Sequence, residues 1–147
     1  NELGQFGLAA RHARILAERD ARDSEAWSAL GMAEFGLRRK REAARALRRA
    51  LEITPNYSAA RYNLAAILAD QEESEQALEE AAKALRYGAK PRSVTLVMAR
   101  ALIQLDRLEE AESHLSTLLR ADANDVEAHG LLVQLRQLRG DTEPLAL

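Results

Sequence analysis

Apolar residues recur at three- and four-residue steps along most of the chain. Trp27, Leu30, Ala33 and Leu37 form one such row, and Ala43, Leu47, Ala50 and Leu51 form the next. That spacing gathers them on one face of a helix. Followed to the end, the pattern predicts eight helices, at 4–19, 24–37, 41–53, 58–70, 74–87, 92–104, 108–120 and 126–139. Short polar breaks separate them, and Pro55 with Asn56 closes one. Ser24, Ser58 and Ser74 stand where helix-capping hydroxyls are expected.

The helices repeat in pairs. A shift of 34 residues aligns Ala43, Ala77 and Ala111, and it also aligns Leu30, Leu64 and Met98. The residue after each of the latter is small: Gly31, Ala65 and Ala99. Leu47, Ala81 and Leu115 follow, then Leu51, Leu85 and Leu119, and the register runs from Ser24 onward without insertion. A two-helix unit of this length cannot bury its apolar face alone, so successive units must stack. The small residues allow paired helices to approach closely, which gives them a packing role.

This pattern resembles the tetratricopeptide repeat family. In the first unit Trp27, Leu30, Gly31, Ala43, Leu47, Ala50 and Pro55 match the family spacing, with Leu in place of Phe. The second unit departs at Arg61, where an aromatic belongs, and at Ala89, where Pro belongs; the third has Ala123 for Pro. The resemblance implies an all-α, right-handed α-solenoid of stacked antiparallel helix pairs. One domain, 1–147, would contain a leading second helix (1–23), repeats 24–57, 58–91 and 92–125, and a partial repeat or cap with a tail (126–147).

The family resemblance also implies a concave face, formed by the first helix of each pair, that holds a peptide or partner protein. Here that face carries Ser28, Met32, Phe35, Tyr62, Ala66, Ala69, Leu96, Arg100 and Ile103, with Asn63 beside them. The candidate partner-binding residues are Phe35, Tyr62, Asn63, Leu96, Arg100 and Ile103. Asn63 would bond a ligand backbone and Arg100 a carboxylate or carbonyl. The bland alternative is that Met32, Phe35 and Tyr62 pack between repeats. A carboxylate clamp of the kind that grips chaperone tails is not expected, because Ser28, Met32, Ser93 and Val97 occupy the matching positions. An asparagine ladder fails likewise at Ala29, Val97 and Leu131.

Composition supports helices: 29 of the 147 residues are Ala, and only 4% are aromatic. The net charge of -2 offers no bulk attraction to nucleic acid or to an anionic membrane. Its distribution says more. Residues 38–49 hold seven basic side chains against Glu42 (+6), while residues 70–80 hold six acidic ones and no base (-6). Arg38, Arg41 and Arg45 lie 34 residues before Glu72, Glu75 and Glu79. The expectation is a basic strip paired with an acidic one on the convex side. Nucleic-acid binding by the basic strip is disfavoured by the acidic neighbour and the lack of interleaved aromatics.

Catalytic chemistry finds no foothold. There is no cysteine, the seven glycines are scattered, and His12, His114 and His129 fall in separate repeats without metal-ligand spacing. Adjacent carboxylates such as Glu109 and Glu110 point about 100° apart on a helix and do not converge. Asn56-Tyr57-Ser58 matches a glycosylation sequon, but a turn explains it. The expectation is a non-enzyme, without metal or cofactor, binding a protein or peptide in the cytoplasm, with no nucleic acid or membrane partner. A chain that opens in half a repeat and stops after one helix also fits a docking segment of a longer multidomain enzyme of transferase or hydroxylase type.

Overall fold

The structure, a computed structural model, describes residues 1–140. Among them stand eight α-helices and no strand: α1 (Glu2–Arg19), α2 (Ser24–Gly36), α3 (Lys40–Ile53), α4 (Ser58–Asp70), α5 (Ser74–Arg86), α6 (Pro91–Gln104), α7 (Leu108–Ala121) and α8 (Val126–Arg139). Each helix packs on the next in sequence, and α2, α4, α6 and α8 also touch in succession. The result is a stack of antiparallel pairs. The expected tail beyond residue 140 lies outside the described residues.

The small residues sit where the pairs close. Ala43, Ala65, Ala77, Ala99 and Ala111 are fully buried. Around them are two large apolar clusters, one uniting α3 to α6 and the other joining α6 to α8. A third, built on Ala10, Ala13, Leu30, Ala33 and Ala46, fastens α1 to the first pair.

The turn inside each pair repeats at the level of single dihedral angles. Among the described residues, Arg38, Glu72 and Asp106, spaced 34 apart, are the non-glycine residues with positive φ, at 64°, 62° and 59°. In each, the following residue donates its N–H to a carbonyl five positions back: Arg39 to Glu34, Glu73 to Leu68, Arg107 to Leu102. This helix-ending geometry satisfies carbonyls left open at the last turn. It is met here by charged residues at a position that usually favours glycine.

The serines act differently from the expectation. Helices α2 and α8 are capped by Asp23 and Asp125, whose carboxylates accept the N–H of Ala26 and Ala128. Tyr57 and Glu73 precede α4 and α5 without any side-chain cap. Ser24 and Ser74 are already helical, and their hydroxyls reach across the stack. Ser24 accepts from Thr54 at 2.8 Å, and Ser74 donates to Gln104 Oε1 at 2.7 Å. Gln104 in turn donates to the Ala69 carbonyl, tying the end of α6 to the end of α4.

One buried charge breaks the apolar pattern. Glu34 is 2% exposed, at the position occupied by Leu68 and Leu102 in the next pairs. Arg14 of α1 reaches it at 2.8 Å and Arg39 at 3.3 Å, so the carboxylate is paired on both oxygens.

Candidate functional site

A second periodic hydrogen bond holds the turns between pairs. Trp27 Nε1 donates to the Ala21 carbonyl at 3.0 Å, and Arg61 donates from both Nε and Nη2 to the Pro55 carbonyl. His129 Nε2 lies 2.7 Å from the Ala123 carbonyl, to which its Nε2–H tautomer donates. Each bond spans six residues, and the three side chains are one or two repeats apart. A tryptophan, an arginine and a histidine thus perform one structural task. Arg61 also pairs with Glu80 at 2.8 Å and lies 5.8 Å from the centre of the Tyr87 ring.

The fourth equivalent position is Thr95, and among the described residues its side chain makes no such bond. The turn before it has a different course. Gly88 takes φ +98°, its N–H bonds the Leu85 carbonyl, and the Ala89 N–H bonds the Ala84 carbonyl. Pro91 then starts α6 one residue early in the repeat, with Lys90 as an N-terminal flank lacking any side-chain cap. Elsewhere the second helix of a pair gives way to a residue of strongly negative φ, Asp20 (-140°), Thr54 (-129°) or Asp122 (-146°).

This exceptional turn makes one wall of a cleft of about 420 Å³, lined by Ser58, Ala59, Tyr62, Gly88, Ala89, Lys90 and Ser93. The other wall is the first turn of α4. Tyr62 is half-buried, its inner side packed on the larger cluster and its outer side on the cleft. Lys90 is exposed and has no acidic oxygen within 4 Å among the described residues, and the hydroxyls of Ser58 and Ser93 are without side-chain hydrogen bonds there. The cleft therefore offers an apolar floor, hydroxyls and a cation.

The structure separates the sequence-predicted residues. Tyr62 lines the cleft, and Asn63 beside it is half-buried. Arg100 is exposed and lies seven residues past Ser93, which continues the same face of α6 away from the cleft. Phe35 is half-buried against the first large cluster, with Met32 one turn earlier 38% exposed. Leu96 and Ile103, expected in the trough, are in the core instead. Each is 5% exposed and packs in the cluster that holds Leu115, Ala128 and Leu132, because α7 and α8 close over that side of α6. The cleft residues Gly88, Ala89 and Lys90 were missed, although Gly88, the glycine in this break, marks it as unlike the others.

The charged strips also differ from expectation. Lys40 bonds Asp70 at 2.6 Å, linking the strips at one end. Arg39 turns inward to Glu34, Arg49 pairs along its own helix with Glu52, and Glu80 pairs with Arg61 and Lys83. Among the described residues, no ion pair within 4 Å joins Arg38, Arg41 or Arg45 to Glu72, Glu75 or Glu79. A cleft of about 290 Å³ lies along this border, lined by Arg41, Arg45, Arg48, Gln71 and Glu73.

Sequence comparison decides the family. Three family models, each described as tetratricopeptide repeat, match residues 24–57, 46–79 and 84–135. The chain is a tetratricopeptide repeat protein. No curated protein sequence matches it. Solved structures of the same fold include MamA 41-end from Desulfovibrio magneticus RS-1, at 20% identity and a TM-score of 0.84, covering 94% of this chain and 78% of that one. A MamA RS-1 double mutant gives 21% identity and 0.83, covering 95% and 78%. YrrB, described as a TPR protein with an unusual peptide-binding site, gives 20% and 0.76, covering 90% and 68%.

In this repeat protein no group of three His, Asp or Glu side chains among the described residues could hold a metal ion. Nor is any helix there long and apolar enough to cross a membrane.

Proposed function

We propose that this repeat protein is a non-catalytic interaction module that holds an extended segment of a partner protein on its concave face. The carrying observation is the Tyr62 cleft, where the one irregular inter-repeat turn opens an apolar floor beside unpaired polar groups. The family relationship and the peptide-binding site named for YrrB support the same reading. An apolar side chain of the ligand would fill the cleft against Tyr62, with its backbone meeting Ser58, Ser93 and Asn63. Lys90 and Arg100 would set direction by meeting carboxylates or carbonyls at the two ends. Phe35 and Met32 would extend the contact toward α2. The repeats 24–57, 58–91 and 92–125 act together as one domain in this reading, in a cytoplasmic setting and with neither cofactor nor nucleic acid.

A peptide array followed by amide-shift mapping tests it. A selected peptide should shift the amides of residues 58–63, 88–90, 92, 93 and 100. Shifts confined to α3, α5 and α7, on the convex side, would overturn the proposal.

A further inference from the structure

We infer that the convex face pairs with the convex face of a second copy of this chain. The observation is the charge left over after every ion pair is formed. Arg41 and Arg45 on α3, and Arg38 in the turn just before it, are exposed with no acidic oxygen within 4 Å among the described residues. On the α5 side, Glu72, Glu75 and Glu79 are likewise exposed with no cationic nitrogen within 4 Å among the described residues; Glu75 acts on Arg107 only through space. Arg41 and Arg45 stand four apart on α3, and Glu75 and Glu79 four apart on α5, so like charges repel along each helix and each strip would gain from a partner of opposite charge. Within one chain the strips border a common cleft, lined by Arg41, Arg45, Arg48 and Glu73, and no ion pair within 4 Å joins Arg38, Arg41 or Arg45 to Glu72, Glu75 or Glu79 among the described residues.

The geometry suits a two-fold axis. Helices α3 and α5 are the second members of adjacent pairs and run in the same direction. An axis parallel to both, midway between them and in the plane of contact, brings α3 of one copy over α5 of the other. It leaves heights along the helices unchanged. The 34-residue register therefore sets Arg38 over Glu72, Arg41 over Glu75 and Arg45 over Glu79, twice in each dimer. The contact is self-complementary, as a closed two-fold interface requires. It is polar and carried by exposed pairs, so its affinity is modest and falls with salt. Nucleic acid is the poorer occupant, since it would meet the acidic strip at the same place. The concave face stays free, which makes this independent of the peptide-binding proposal.

Sedimentation equilibrium of the whole chain at about 0.05 M and about 0.5 M salt decides the matter, with self-association expected to weaken at least about tenfold at the higher salt. Reversing Arg38, Arg41 and Arg45 to Glu, or Glu72, Glu75 and Glu79 to Arg, should each leave monomer. Mixing the two variants should restore a dimer containing one of each. Circular dichroism confirms folding, and Gln at the three arginine positions gives a milder variant that should also be monomeric. A wild-type monomer at every concentration in low salt, a dimer that survives both reversals, or capture of duplex DNA without self-association would each overturn the inference.

Discussion

A Cβ placed on Gly31 would stand 2.8 Å from Leu47 Cγ and 3.1 Å from the Ala43 carbonyl oxygen. Leu47 is fully buried and cannot swing away. Gly31→Ala gains about 1 kcal/mol of helix propensity but costs about 1–3 kcal/mol by overpacking, for a net loss of about 0–2 kcal/mol. Leu47→Ala alone should cost about 2–5 kcal/mol. The second pair carries Ala65 and Ala81 at these two positions. The double variant should therefore lose less than the sum of the single losses, as read from urea midpoints. Strict additivity would show that the two positions do not meet.

Glu34 gives a second cycle. Arg14→Ala leaves a buried carboxylate with one remaining arginine, an expected loss of about 1–3 kcal/mol after allowing for the exposure of Arg14. Glu34→Leu installs the residue that the next two repeats carry there and should be neutral or stabilising. In that background Arg14→Ala should cost almost nothing. Thermal unfolding of the four proteins measures the coupling.

Asp125 ties the third repeat to α8. Arg92 meets it with two hydrogen bonds of 2.8 and 2.9 Å while its Oδ1 also caps α8. The Arg92 guanidinium, with help from the Ala128 N–H, holds the Asp125 carboxyl below the usual carboxylate range against the opposing effect of burial. A depressed folded-state value means the contribution is complete above about pH 4, the unfolded value, and fades as pH falls through the lower folded one. Asp125→Asn should thus be less stable than wild type at neutral pH, with the gap closing in acid. A gap that stays constant with pH would contradict the ionised pair.

The stack was legible because it rests on periodic burial. Ala43, Ala77 and Ala111 could be found by a fixed shift, and each is fully buried as packing requires. What escaped was set by side chains reaching outside their own helix. Glu34 reads as a surface charge until Arg14 and Arg39 are brought beside it. Ser24 and Ser74 read as caps, yet their hydroxyls bond partners 30 residues away. The arginine and glutamate strips share a register, but alignment in sequence does not fix where long side chains end. Of the candidate site, Tyr62 was found from its repeat position. The cleft it lines depends on how the chain turns at Gly88, and Leu96 and Ile103 were lost to the core once α7 and α8 closed over them.

The most direct measurement of the account is calorimetric titration of an array-selected peptide into wild type, Tyr62→Ala and Glu79→Ala. Central aromatic contacts carry much of the energy of such interfaces, so Tyr62→Ala should weaken binding by about 30-fold or more, roughly 2 kcal/mol, with the helical signal intact. Glu79→Ala, on the convex face, should bind as wild type does. Unchanged affinity for Tyr62→Ala, with loss of binding in Glu79→Ala, would contradict a concave site centred on the Tyr62 cleft.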